Sequence, residues 1–412
     1  MKILVVTQYF RPENFRVNDL VDGLVERGHE VTVLTGQPNY PEGSFPEGYG
    51  WRGPRRETIG GASIIRVPLV ARGSGRAYRL VLNYLSFALF ASLAAAFRLR
   101  GHFDMIFVFA PSPITVAIPA AVAKRRFGAP MVLWVLDLWP ESLSATGAIR
   151  SRRILRVVAY FVRHLYRWCD RVLVQSKGFV GNVTALGVSS ARIDYFPNWI
   201  EREYEEGVGE PPRQVAPSKA DFRIVYAGNI GAAQDFPAIV EAAELVAKRC
   251  PSVRWVVAGD GRMAGWVREE IGRRGLSSYF DFLGQLPPES MPTLFASADA
   301  LLVALRKDPV FALTIPGKVQ SYLASGKPVL AMLDGEGANL IVESGGGFAC
   351  PAGDSVALAE LVVRLAESPV DDRTEMGQRA SAYAHREFGR NRLFDRLEGW
   401  FAETIENMSR KT

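Results

Sequence analysis

Cysteine is scarce in this chain: Cys169, Cys250 and Cys350 stand far apart in 412 residues. An odd, scattered set excludes a disulfide framework. Histidine is nearly as rare. His29, His102, His164 and His385 are widely separated, and none lies at metal-ligand spacing from another His or a Cys, so a zinc site is not expected. Low-complexity tracts are missing, and 48% hydrophobic with 22% charged residues is the balance of a folded protein. A secretory leader is not expected, because Met1-Lys2-Ile3-Leu4-Val5-Val6 runs directly into an apolar strand pattern. The expected location is cytoplasmic, peripheral to the inner face of the cell membrane. The acidic metal-binding pattern DxD is also missing throughout.

What is present is charge asymmetry. Net charge is +6, but residues 1–200 carry 25 Lys/Arg against 13 Asp/Glu, whereas residues 201–412 carry 24 against 30. A basic first half suits an anionic partner: a membrane surface, a nucleic acid or a phosphorylated substrate. A solvated basic face has the same composition. Residues 80–97 form an uncharged stretch of eighteen between Arg76/Arg79 and Arg98/Arg100. An interfacial helix and a buried core helix both fit this stretch. Between Arg150 and Arg171, arginines alternate with Val157, Tyr160, Phe161, Tyr166 and Trp168, as in a helix lying on anionic lipid.

Length and pattern predict two α/β domains. Apolar runs at 3–7, 30–35, 63–67, 105–109, 131–136, 171–175 and 193–196 alternate with helical spacing, which predicts a doubly wound parallel sheet over 1–200. A polar stretch with Pro211, Pro212 and Pro217 reads as a linker over 201–221. The pattern restarts over 222–384, with strands at 222–227, 253–258, 279–283, 300–304 and 328–332. A last helical stretch at 373–407 is long enough for 385–412 to cross back to the first domain.

The segment from 315 to 354 carries the most chemistry. Pro316-Gly317-Lys318 opens a helical stretch, where unpaired N–H groups, the helix dipole and one lysine suit a phosphate. An ordinary α/β unit with polar loops fits the same pattern. Ala227-Gly228-Asn229-Ile230-Gly231 follows a strand but does not match GxGxxG, so a dinucleotide cofactor is not expected. Gly259 begins a second glycine turn. Arg306 and Lys307, with Lys318, collect positive charge for a departing diphosphate. In the first half, Arg11 and Glu13 sit in the loop after the first strand. Asp137, Trp139 and Glu141 leave another strand, where they can meet sugar hydroxyls or simply cap and pack.

QYFRPENFR (8–16), DLWPES (137–142), YFPNW (195–199), YAGNIG (226–231), FLGQ (282–285) and IPGKVQSYLASGKPVL (315–330) occur in one order. Together they resemble retaining glycosyltransferases of family 4, in the bacterial subgroup that builds O-antigen, capsule or exopolysaccharide and includes N-acetylfucosamine transferases. The resemblance implies an α/β GT-B fold, two Rossmann-like domains facing a cleft. It implies a nucleotide-sugar donor, UDP-linked, on the second domain and a polyprenyl-diphosphate-linked saccharide acceptor on the first, with no cofactor, no metal and no nucleic acid. Carried over, Gly228, Asn229, Gly259, Phe282, Leu283, Gly284, Lys307, Pro316, Gly317, Ser321, Asn339 and Leu340 would bind the donor. Asp137, Lys318 and Arg306 would carry the transfer, and Arg11, Glu13, Arg16, Trp139 and Glu141 would meet the acceptor. Two departures stand out: the family's pair of glutamates is missing, the second aligning with Ser321 and the first falling in the apolar stretch 311–314, and Asn229 and Gln234 stand near a missing Arg-and-Lys pair, for which Arg16, Arg306 and Lys307 are the substitutes. A nucleotide-sugar 2-epimerase acting on UDP-N-acetylglucosamine shares the plan and would need no acceptor. A nucleic-acid-binding protein lacks any supporting recognition pattern.

Overall fold

The computed structural model describes residues 1–145, 147–204 and 222–410. The expected linker lies outside the described residues from 205 to 221. The chain divides into two compact units, Met1–Phe196 with Phe394–Thr412, and Pro197–Leu393.

In the first unit the strands are β1 (Lys2–Val6), β2 (Glu30–Gly36), β3 (Arg56–Ile59), β4 (Ala62–Val67), β5 (Met105–Ala110), β6 (Met131–Val135), β7 (Arg171–Val174) and β8 (Ile193–Tyr195). They form one sheet in the order β3-β4-β2-β1-β5-β6-β7-β8. Every residue of β5 and β6 is buried, which is why they read as unbroken apolar runs. The sheet is parallel except for β3, which pairs antiparallel with β4. Sequence reasoning missed β3 because Arg-Glu-Thr-Ile is polar and only partly covered, as an edge strand tends to be. Strand order reverses at β1, which lies between β2 and β5, so the loop after β1 sits at a topological switch point.

The uncharged stretch belongs to a 21-residue helix, Ala77–Phe97. Asn83, Phe87, Ala88, Ala91, Ala94 and Ala95 are its buried residues. Tyr78, Val81, Leu82, Leu85, Leu89, Leu93 and Phe97 are exposed, Phe97 at 77%. Small side chains thus allow close packing on one side while the large apolar ones face out. The helix is long and apolar enough to cross a membrane by length and composition.

The C-terminal stretch is two helices rather than one, Val370–Phe388 and Arg390–Ser409, interrupted at Gly389. From Phe394 onward the second of these packs within the first unit. Phe401 meets Phe107 at 5.8 Å and Trp400 meets Phe196 at 5.8 Å. Arg27 bridges Asp395 and Glu398 at 2.6 and 2.8 Å. The contact is mainly apolar, and the ion pairs at its margin add little.

The second unit has β9 (Phe222–Ala227), β10 (Val253–Ala258), β11 (Phe280–Gly284), β12 (Ala300–Ala304), β13 (Val329–Met332) and β14 (Gly347–Cys350). The order β11-β10-β9-β12-β13-β14 is wholly parallel, with its switch point between β9 and β12. These two strands pair only at Ala300–Ile224 and Leu301–Val225 before they part. The Tyr322 hydroxyl fills the gap above, accepting from Ala227 N at 2.9 Å and facing Ala227 O at 3.3 Å. A crevice at the carboxyl ends of diverging strands is where open α/β sheets hold ligands.

Candidate functional site

Three glycines stand side by side at the carboxyl ends of β9, β10 and β11. Gly228 N donates to Ala258 O at 2.8 Å, and Gly259 N donates to Gly284 O at 2.7 Å. Gly259 has φ +139, and a Cβ there would fall 1.9 Å from Gly228 O, so no other residue fits. A Cβ on Gly228 (φ +134) would fall 2.8 Å from Lys318 Nζ. Two elements that the sequence places 90 residues apart therefore meet at one point.

Lys318 directly precedes the short helix Val319–Ala324. Its ammonium lies 4.0 Å from the centre of the Tyr226 ring. Among the described residues no carboxylate pairs with it. Loss of water around the ammonium lowers its pKa to about 7. The ring face compensates part of the charge, and an incoming anion would compensate the rest. Arg306 N donates to Ala233 O at 2.8 Å, which ties the loop after β12 to the turn after β9. The Arg306 and Lys307 side chains are exposed beside this crevice.

Asn229 O accepts the Tyr226 hydroxyl at 2.6 Å, and Asn229 Nδ2 donates to Gln234 Oε1 at 3.3 Å. Phe282 lies under the Arg268 guanidinium at 4.2 Å, with Leu283 and Gly284 half-buried after it. Pro316 is half-buried and Gly317 exposed. Ser321 is buried, and its Oγ donates to Glu201 Oε2 at 3.2 Å. A carboxylate thus stands beside the position where the resemblance expects a glutamate, delivered from another part of the chain. Sequence reasoning missed Glu201, Tyr226 and Tyr322 as site residues. Tyr226 and Tyr322 lay inside motifs already singled out, whereas Glu201 lay in none.

Two expected donor contacts have other surroundings. The helix after β13 starts at Glu336, so Asn339 lies beyond its first three residues and its N–H is spent on Gly335 O at 2.9 Å. Leu340 packs into the core of the unit.

In the first unit, Asp137 and Trp139 leave β6 together. Ser142 Oγ donates to Asp137 Oδ2 at 3.1 Å, and Trp139 Nε1 donates to Ser112 Oγ at 3.3 Å. Burial raises the Asp137 carboxyl to about 6, against the pull of these hydrogen bonds. Glu141 accepts from Asn182 Nδ2 at 3.0 Å. Its other oxygen, Oε2, is buried and without a partner among the described residues. Arg16 is half-buried just before the helix Val17–Glu26.

Arg11 and Glu13 have structural partners. Arg11 turns back onto the helix and forks onto Asp22, 2.8 Å at one nitrogen. Glu13 is 5% exposed and accepts from the backbone N–H groups of Asn39 and Tyr40 at 2.8 Å and of Phe10 at 3.2 Å. It staples the loop after β1 to the loop after β2. Desolvation nevertheless raises its pKa to about 7.

Two α/β units built on parallel or nearly parallel sheets, the second with glycine turns and a lysine at its switch point, have the two-domain plan of the GT-B fold. Residues 14–199 match the Glycosyl transferase 4-like domain, and residues 221–368 match Glycosyl transferases group 1. With a glycosyltransferase domain matched in each half, the chain is a glycosyltransferase. It is 26% identical over 339 residues to the Escherichia coli (strain K12) protein named "Putative colanic acid biosynthesis glycosyl transferase WcaI", covering 79% of this chain and 82% of that one. Among solved structures it resembles sucrose-phosphate synthase from Thermosynechococcus elongatus, with TM-score 0.73 and 14% identity over 98% of this chain and 99% of that one. It also resembles Anabaena HepE in complex with UDP, with TM-score 0.69 and 16% identity over 98% and 100% of the two chains. These last two likenesses speak for the fold alone.

Proposed function

We propose that the chain transfers a sugar, with retention of anomeric configuration and without a metal, from a UDP-linked donor to a polyprenyl-diphosphate-linked saccharide in surface polysaccharide synthesis. The observation that carries the donor half is Lys318, a carboxylate-free ammonium against Gly228 at the switch point of the second sheet. The donor's diphosphate lies there, with the N–H groups of the glycine turns and the exposed Arg306 and Lys307 around it. Glu201, held by Ser321, brings a carboxylate to the donor's hydroxyls in place of the family glutamate at that position. The UDP in HepE and the polysaccharide assignment of the Escherichia coli relative support this reading.

Catalysis then rests on placement and electrostatics. As the anomeric bond breaks, charge grows on the leaving phosphate, which Lys318 stabilises most in the transition state. That phosphate oxygen takes the proton of the acceptor hydroxyl, so no strong protein base is required. Asp137 orients the acceptor.

The membrane half is supported by the first unit's surface. Besides the apolar face of Ala77–Phe97, the helix Arg152–Trp168 exposes Ile154, Val157 and Tyr160, and Arg153, Arg156, Val157 and Tyr160 line a shallow groove. Apolar rings among arginines suit an anionic bilayer on the cytoplasmic side. The donor half is tested by titrating a UDP-sugar into wild type and Lys318→Met. Saturable binding in the first and its loss in the second is expected; equal binding in both rejects the site.

A further inference from the structure

We infer that Arg72 is an anion site in the first unit that holds a phosphate of the acceptor. The inference rests on the acceptor reading above and says where the acceptor's charged end is bound. Arg72 lies on the chain leaving β4, and its backbone is fixed by a buried amide network. Its N–H donates to Asn39 Oδ1 at 3.1 Å, Asn83 Nδ2 donates to the same oxygen at 3.2 Å and to Val70 O at 2.7 Å, and Gln8 Nε2 donates to Asn83 Oδ1 at 2.6 Å. Asn39 and Asn83 are both buried, so the base of Arg72 is rigid.

The guanidinium is held between rings. It lies 5.0 Å from the centre of Tyr40 and 5.9 Å from that of Tyr9, and Nη1 donates to the Tyr9 hydroxyl at 3.1 Å. Tyr9 is stacked on Phe15 at 4.8 Å, and Tyr40 is tilted against both. Among the described residues no carboxylate pairs with Arg72. Glu13, the acid next to this network, directs its oxygens to backbone N–H groups instead.

An arginine carries five N–H donors, and Arg72 spends one of them on Tyr9. Its planar fork, pre-set by the rings, matches two oxygens of a phosphate. Tyr40, 41% exposed, offers its ring to whatever the phosphate carries. The chemistry is that of a phosphate or diphosphate, whether borne by a lipid or free.

Calorimetric titration decides the matter, with geranyl diphosphate and inorganic pyrophosphate as probes and UDP saturating so that the second unit's phosphate site is filled. Wild type binds, Arg72→Ala binds roughly 10- to 100-fold more weakly, and Arg72→Lys falls between because charge remains without the fork. Loss of both probes in Arg72→Ala supports a site for any diphosphate; loss confined to geranyl diphosphate supports a lipid-borne one. Wild type that binds neither probe, or Arg72→Ala that matches it in both, overturns the inference. Thermal melts confirm folding, and if Arg72→Ala does not fold, Arg72→Lys and Tyr40→Ala carry the comparison. UDP affinity is measured first on each protein. A wild type that ignores UDP sinks the donor reading and leaves this comparison standing.

Discussion

With the donor's diphosphate at Lys318, as proposed, binding should depend on pH in a direction that can be worked out beforehand. Without ligand its ammonium is partly stripped of water and titrates at about 7. A bound diphosphate supplies the missing countercharge, so the complex keeps the proton well above that pH. Binding is therefore strongest below pH 7 and weakens about tenfold per unit above it, until the pKa of the complex is reached. With a free-state pKa of about 7, the protonated fraction falls from about nine-tenths at pH 6 to about one-thirtieth at pH 8.5. The dissociation constant of a UDP-sugar should rise about 30-fold over that interval. A UDP-sugar is the right probe, because its diphosphate is esterified at both ends and keeps a constant charge. Titration calorimetry at pH 8 in two buffers of different ionisation heat should register close to one proton taken up per ligand bound. Lys318→Arg stays charged and should give a flat profile. Lys318→Met should bind weakly at every pH. A flat wild-type profile, or one that Lys318→Arg reproduces with the same slope, would refute the assignment of the diphosphate to this lysine.

Glu201→Gln keeps a partner for Ser321 but removes the charge, and should weaken UDP-sugar binding about tenfold in the same titration. Unchanged affinity would leave Glu201 with a structural role only. Val157→Glu with Tyr160→Glu removes apolar contact and adds repulsion, and should cut cosedimentation with phosphatidylglycerol vesicles at least about tenfold; undiminished sedimentation would remove this helix from the membrane reading. Glu13→Gln leaves one acceptor oxygen for three backbone N–H donors, which should cost about 2 kcal/mol in urea unfolding. Because the Glu13 carboxyl is raised to about 7 from 4.5, the wild type's stability relative to Glu13→Gln should be greatest below pH 4.5 and decline as pH rises through 7. A difference that instead grows with pH would mean that the staple works chiefly as an ionised carboxylate.

The elements that sequence alone locates best are those whose burial is complete. Strands β5, β6, β9, β12 and β13 are covered on both faces, so their apolar runs announce them without help from any partner. Edge strands β3 and β14 are short and partly exposed, and nothing in their composition separates them from loops. The break at Gly389 is similarly faint, because both flanking helices keep helical spacing. In the site, Gly228 and Lys318 were legible because each lies at a strand or helix end, where local pattern already points to a ligand. Pairings made by tertiary contact were not legible. Arg11 looks like a loop cation until Asp22 is seen under its fork, and Glu13 looks like a free acid until three N–H groups are counted on it.

Glu201 and Ser321 give the sharpest case. Read along the chain, Ser321 is a lost carboxylate, and the loss argues against the usual contact with the donor. Folded, the serine is a hydrogen-bond donor to a carboxylate 120 residues away. On the donor reading proposed above, this point of the fold needs acceptor oxygens near the helix that follows Lys318, whichever segment supplies them. A glutamate on the helix meets it directly; a serine meets it by fixing a glutamate that arrives from the start of the unit. Substitution at one position can therefore preserve the chemistry only when a second position, invisible to any local motif, already stands within hydrogen-bond reach. The double variant Ser321→Glu with Glu201→Gln follows from this logic. If acceptor oxygens are what the site needs, the double variant regains the donor affinity that Glu201→Gln alone loses.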